Sequence, residues 1–361
     1  MSHNAKYQKI LVIATRCIGD SLLITPISRS LRKAFPQSQI DVLINERGGM
    51  VFETNLDINN LVNIPRRPTL KDYIRLLSQH GRYDLVVNES NNDRTAIYSF
   101  IFGKNRLGVV NPRAKGVWLK NRIYNLRILE RNDFEHKMSR VARMLVKIGV
   151  AIVPQVISPE AVLPIQISEQ LPQHYLVVHC PSSNEIKQWP IEYWKTLVND
   201  LLTKGYFVVL TGAPSSRDRD IVQQVLDGLS SSTQLLSTVG LLSLAQTSTL
   251  LKYSAGFIGP DCGPGHMASG HPIPIVSLIS VAPASVWSPW PYQIPVNTER
   301  NLYQNGFREQ RNNNVVVIQS ERQCVPCYKN KCRISDDDYS PCLQDITPLQ
   351  VLNAVEKLMP L

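Results

Sequence analysis

The chain has 361 residues, of which 43% are hydrophobic, 19% charged and 7% aromatic. This length points to about two domains, and this composition excludes a disordered chain. Residues 1–160 hold 25 Lys+Arg against 13 Asp+Glu, a net +12, whereas residues 161–361 hold 14 against 16, a net −2. The basic first half suits an anionic partner (nucleic acid, a lipid surface, or a phosphorylated or carboxylated substrate), with an unpartnered basic surface as the plainer alternative.

Ile10–Ala14 is a β-branched run, read as a buried first strand, and a turn follows over 15–20. Ser21 to Phe35 reads as one helix, with Leu22, Leu23, Ile27, Leu31 and Phe35 at helical spacing. Ile40–Ile44 and Leu85–Val87 are further strands, and Met138 to Ile148 is an amphipathic helix. Residues 151–174 contain Pro154, Pro159, Pro164 and Pro172 with little periodicity, and read as an interdomain linker. A second alternating series follows: strands at Leu176–Val178, Phe207–Leu210, Gly256–Ile258 and Ile273–Ile279, and helices at 190–204, 217–229, 244–253 and from Gly265. A closing helix spans Thr347–Leu358. Alternation of this kind predicts two doubly wound α/β halves with parallel sheets. Six prolines between Pro272 and Thr298 rule the longest uncharged stretch out as a membrane helix. The short N-terminal apolar run argues against a signal peptide, so the expected class is a soluble, cytosolic protein.

Four constellations carry candidate chemistry. Gly19-Asp20 follows the first strand, with Gly19 expected to permit a tight turn; Asp20 reads either as a helix N-cap or as a catalytic carboxylate at the sheet edge. Lys187-Gln-Trp189-Pro190 follows a strand and opens a helix, so Lys187 is either a surface lysine or a cation for a pyrophosphate. Asp261-Cys262-Gly263-Pro-Gly265-His266 behind another strand reads as a phosphate cradle or as an ordinary capped junction. Cys324, Cys327, Cys332 and Cys342 fall within nineteen residues. Their C-x2-C half fits a thiolate metal site, the wider spacings fit one less well, and packing as small apolar residues is the alternative. Neither a dinucleotide fingerprint nor a P-loop is present, and a nucleic-acid binder is disfavoured by the lack of aromatic stacking motifs.

In order, the Gly19-Asp20 turn before Leu22-Leu23-Ile24-Thr25-Pro26, the Lys187 block, Thr211-Gly212-Ala213, the Asp261–His266 loop and the cysteine tail resemble family 9 glycosyltransferases. These are the heptosyltransferases of lipopolysaccharide core assembly; the tail is most similar to heptosyltransferase II and its relatives. The resemblance implies a GT-B fold, two Rossmann-like domains facing a central cleft. Residues 1–160 would form an acceptor domain and 161–346 a nucleotide-sugar domain with a cysteine-rich loop at 321–343. Residues 347–361 would be a closing helix packed back on the first domain. It implies inverting, metal-independent transfer from ADP-heptose without a cofactor, Asp20 serving as general base and Lys187 contacting pyrophosphate and sugar. Gly212, Asp261, Cys262, Gly263, Gly265 and His266 would hold the donor. The acceptor would be a lipid A-linked core oligosaccharide on the inner face of the inner membrane, met by Arg66, Arg67, Arg113, Lys115, Lys120 and Arg122 in two loop-like stretches, 65–72 and 111–122. Another nucleotide sugar, a protein acceptor, or a silent oligosaccharide-binding relative are the open alternatives. Where the family often has an acid for the donor ribose this chain has Ser216, with Asp218 and Asp220 nearby, and the run after His266 is Ala268-Ser-Gly-His-Pro272.

Overall fold

The structure is a computed structural model that describes residues 6–45, 48–131, 134–335 and 339–361. It contains two units: residues 1–159 with 295–300, and residues 160–294 with 301–361.

The first unit runs β1 (Lys9–Ala14), α1 (Ile18–Leu22), α2 (Thr25–Ala34), β2 (Gln39–Ile44), β3 (Asn60–Asn63), α3 (Leu70–His80) and β4 (Tyr83–Asn88). It continues with α4 (Asp93–Phe102), β5 (Gly103–Val110), α5 (Val117–Ile123), β6 (Leu126–Leu129) and α6 (Lys137–Val146). The six strands form a parallel sheet in the order β3-β2-β1-β4-β5-β6. β1 is buried along its length after Lys9, as a central parallel strand covered on both faces must be. The single helix expected over 21–35 is two helices. Pro26 lacks an amide hydrogen and sits in the first turn of α2, so a helix restarts there after α1 has ended at Leu22. Ile27 and Leu31 of α2 are fully buried, each worth roughly 1.5–3 kcal/mol of transfer free energy.

The second unit runs α7 (Ile165–Ser168), β7 (Leu176–His179), α8 (Ile191–Thr203), β8 (Val208–Thr211), α9 (Ser216–Leu226), β9 (Leu235–Ser237), α10 (Leu244–Lys252) and β10 (Gly256–Pro260). There follow α11 (Gly263–Ala268), β11 (Ile275–Ile279), α12 (Ala284–Trp287), β12 (Gln310–Asn312), β13 (Val315–Gln319), α13 (Pro341–Gln344) and α14 (Pro348–Leu358). Its sheet order is β12-β13-β11-β10-β7-β8-β9, with β12 antiparallel to β13.

The closing helix lies in the second unit. α14 packs on α8 and β11 of its own unit. Val351, Leu352 and Val355 join the same core as Trp194 and Leu197, and Tyr206 donates its hydroxyl to the Met359 carbonyl at 3.0 Å. Residues 295–300 belong to the first unit. There Arg131 donates to the Thr298 carbonyl and lies 3.6 Å from the Glu299 carboxylate.

Two buried histidines of the second unit set an acid limit. His271 is bonded to the Ser248 hydroxyl at 2.9 Å. Burial pulls its pKa down to about 4, against a smaller upward pull from Glu160. Burial likewise brings His179 to about 4. A lowered histidine pKa means the unfolded chain binds the proton first, so stability is full above the unfolded value near 6.5 and is lost as pH falls towards 4. Urea midpoints of the protein and of His271→Gln should therefore diverge in slope. Between pH 7 and 4.5 the substituted protein should lose about 2 kcal/mol less than the parent. Parallel losses would show that His271 is not held neutral.

Candidate functional site

Open α/β sheets bind ligands beyond the carboxyl ends of the strands, where the strand order reverses. In the first unit this point lies between β1 and β4, and in the second between β7 and β10. The segments that follow these four strands carry Asp20, Glu89, Lys187 and Asp261.

In the second unit, the Lys187 Nζ lies 2.6 Å from the Asp261 carboxylate. The Asp261 side chain is nearly buried, at 7% exposure, and that of Lys187 is 27% exposed. His266 Nε2 stands 4.0 Å from the other Asp261 oxygen. Two loops far apart in sequence thus converge on one charged cluster. Each residue of the Lys187 block has a distinct task. Gln188 is buried and stitches the loop, accepting from the Ser182 amide and donating to the Cys180 and Trp189 carbonyls, all at 3.0 Å. Trp189 is fully buried, edge-on to Trp194 with ring centroids 4.6 Å apart, and donates to the Ile346 carbonyl. Pro190 then starts α8. Lys187 is therefore no ordinary surface lysine, and Asp261 is no cap: the N-cap of α11 is Cys262, without a side-chain cap bond. Burial pushes the Cys262 thiol up to about 12, with the Gly265 amide pulling the other way.

Gly212 follows β8, where a Cβ would meet Asp218, Val239 and Pro181 at 3.3–3.4 Å. Of the two acids near Ser216, Asp218 is turned onto its own loop, accepting from the Ala213 amide and the Ser215 hydroxyl at 2.8 Å. The cysteine tail packs behind the Lys187 turn: Cys342, Cys327 and Cys332 join Ile186, Val281 and Val325 in one apolar cluster. The Ser340 hydroxyl donates to the Ile186 carbonyl. The cysteines are free thiols, and among the described residues no group of three or more His, Cys, Asp or Glu is disposed to hold a metal ion.

In the first unit, Asp20 is not an N-cap either. Cys17 occupies that position of α1, and Asp20 lies 3.4 Å from the Arg16 guanidinium with its side chain 16% exposed. Gly19 is inside α1 rather than in a tight turn. The glycine this loop needs is Gly48, which the sequence reading missed: a Cβ there would stand 2.8 Å from the Ser21 hydroxyl and 2.9 Å from the Arg16 carbonyl. Also missed is a buried charge cluster beyond β4. Glu89 is 4% exposed and lies 2.8 Å from Lys137 and 3.4 Å from Arg140 of α6. Burial alone would raise the Glu89 carboxyl, but Lys137, Arg140 and more distantly Arg16 hold it below the usual range.

The expected acceptor residues divide. Arg66 is exposed and lines a cavity of about 220 Å³ with Thr15, Asn45, Asn92 and Arg94 at the carboxyl edge of the sheet. Arg67, Arg113, Lys115 and Arg122 are exposed. The stretch 111–122 is not all loop, because Val117–Ile123 is helical. Lys120 must be withdrawn as an acceptor contact. It is 5% exposed, and its ammonium is held by the Asn91 carbonyl at 2.6 Å and by Asp93 at 2.9 Å.

Residues 75–316 match the model of the family described as Glycosyltransferase family 9 (heptosyltransferase). Lipopolysaccharide heptosyltransferase 3 of Escherichia coli is 25% identical over 83% of this chain and 92% of its own length. Lipopolysaccharide heptosyltransferase 2 of E. coli K12 is 23% identical over 75% and 82%. Among solved structures, a family 9 glycosyl transferase from Veillonella parvula superposes with a TM-score of 0.74 over 99% of both chains at 19% identity. E. coli ADP-heptose lps heptosyltransferase II superposes at 0.71 over 97% and 98%, also at 19% identity. The two parallel-sheet units are those of the GT-B fold. The family match, over residues 75–316 and so over most of the chain, places the protein in glycosyltransferase family 9, the heptosyltransferase family.

Proposed function

We propose that the protein is an inverting heptosyltransferase that moves heptose from ADP-heptose to an anionic, lipid A-linked lipopolysaccharide core acceptor at the inner membrane surface. The observation that carries this reading is the Lys187–Asp261 pair, 2.6 Å apart beyond β7 and β10 of the second unit. Curated relatives are lipopolysaccharide heptosyltransferases, and a fold neighbour, E. coli heptosyltransferase WaaC, is described with ADP-2-deoxy-2-fluoro heptose.

The acceptor hydroxyl attacks the anomeric carbon of the donor and passes its proton to the Asp20 carboxylate. The bond from that carbon to the β-phosphate oxygen breaks, and ADP leaves with the electron pair. Lys187 stabilises the charge developing on the pyrophosphate, and Asp261 with His266 orients the donor. Attack on the face opposite the leaving group inverts the anomeric centre. A good leaving group needs no second carboxylic acid, so the carboxylate pair of glycoside hydrolysis is not required. Gly212, Cys262, Gly263 and Gly265 shape the donor loop, while Arg66, Arg67, Arg113, Lys115 and Arg122 attract acceptor phosphates and carboxylates.

The test is transfer onto heptose-deficient core acceptor with ADP-heptose, UDP-sugars and GDP-sugars in parallel, with and without EDTA. Transfer from ADP-heptose alone, with anomeric inversion and no loss in EDTA, is the expected result. Transfer only from a UDP- or GDP-sugar, retention of configuration, or a need for Mg²⁺ would overturn the corresponding part.

A further inference from the structure

Three helices of the first unit each hold large apolar side chains out to solvent. The connections β3–β4, β4–β5 and β5–β6 step the same way across a parallel sheet, so right-handed crossovers put α3, α4 and α5 on one face of it. Tyr73 of α3 meets Tyr98 of α4 with ring centroids 6.1 Å apart, and α4 and α5 share the cluster of Ala96, Ile123 and Tyr124. Together these helices expose Leu70, Ile74, Ile97, Phe100, Trp118 and Leu119, with Leu70 at 75% and Trp118 at 63%. α4 buries Ala96, Tyr98 and Phe102 on one side and presents Ile97 and Phe100 on the other. The solvent side of a surface helix is ordinarily polar, and on α4 the polar exposed residues, Asp93 and Arg94, are confined to the first turn. Scattered exposed apolar residues need no explanation, but six on three adjoining helices do.

The charges around this face say what covers it. Lys71 and Arg75 flank it on α3, and Arg113, Lys115 and Arg122 flank it at α5. The Arg106 guanidinium lies 5.9 Å from the centre of the Phe100 ring, and that of Arg122 lies 5.8 Å from the Trp118 ring. These are apolar stems and rings beside cationic heads, the arrangement of side chains at a lipid headgroup boundary. The nearby acids are already engaged: Asp72 with Thr69 and Arg75, Asp84 with Lys104, and Asp93 with Lys120. A second copy of the chain would bring two such basic rims together.

We propose that the α3–α4–α5 face docks the first unit onto an anionic lipid bilayer. Phe100 and Trp118 enter the boundary between headgroups and acyl chains, and Arg113, Lys115 and Arg122 meet lipid phosphates. This deepens the reading of a lipid-linked acceptor, but the docking itself needs no sugar.

The full chain, without substrates, is sedimented with phosphatidylcholine vesicles with or without phosphatidylglycerol. Binding is expected only to the anionic vesicles, with a blue shift in fluorescence from Trp118, which is exposed while Trp189, Trp194 and Trp290 are buried. The triple change Arg113→Gln, Lys115→Gln, Arg122→Gln should weaken partitioning about a hundredfold, roughly fivefold per charge. Phe100→Ser, Trp118→Ser, Leu119→Ser should abolish it with an unchanged melting temperature, while transfer to a delipidated, water-soluble core acceptor stays at the parental rate. Equal binding to both vesicle types, binding untouched by either triple change, or a dimer that the apolar change dissociates in a protein that ignores vesicles would each overturn the proposal. Absence of transfer by the parent protein would instead count against the heptosyltransferase reading and leave the docking result standing.

Discussion

Asp20→Asn should lower turnover roughly 10²–10⁴-fold while leaving ADP affinity and melting temperature nearly unchanged. Asparagine keeps the size of the side chain and removes only the basic oxygen. The stability effect should be small because Asp20 caps no helix, and the ion pair with Arg16, at 3.4 Å, involves a guanidinium side chain that is 40% exposed. Pairs of that kind contribute about 0–1 kcal/mol. Steady-state rates with saturating ADP-heptose, set beside ADP titration calorimetry and a melting curve, separate the two effects. Near-parental turnover in Asp20→Asn would place the base elsewhere.

Lys187→Ala should weaken donor binding and cut turnover about 10²–10³-fold, the scale seen when one preorganised charge-stabilising group is removed. It should also cost stability, because it leaves the nearly buried Asp261 carboxylate without its partner. A fully buried pair broken in this way loses about 3–5 kcal/mol, and the partial exposure of Lys187 reduces that to about 1–2 kcal/mol. Adding Asp261→Asn to Lys187→Ala should recover the stability and not the turnover. Recovery of both would mean that the lysine serves the fold and not the leaving group.

The second unit was largely legible because β-branched runs such as Leu176–Val178 and Phe207–Leu210 are fenced by glycine and proline. The first unit was less so. α4 is apolar on both sides and therefore shows no helical stripe, and β5 opens with the polar run Gly-Lys-Asn-Arg. α5 is only seven residues long, so its basic residues read as loop. Residue spacing put Asp20 and Asp261 at strand–helix junctions but could not separate capping from pairing, since both place a carboxylate there. Lys120 was misread because a charge count treats every lysine as solvated, whereas this one is used up inside the fold by Asn91 and Asp93. The Glu89 cluster left no signal, because its members lie about fifty residues apart. For the closing helix, one apolar face looks the same whichever unit it covers.

The return of residues 295–300 to the first unit has a consequence for synthesis. A chain emerging from the ribosome has all but this piece of that unit once residue 159 is out, yet the contacts of Arg131 and Ser139 with Asn297, Thr298 and Glu299 form only some 140 residues later. At about 5–20 residues per second, the nascent first unit waits about 7–28 seconds for its last contacts. Neither unit is a continuous stretch of chain, so a fragment cut after residue 159 carries the six-stranded sheet without the segment that meets Arg131 and Ser139.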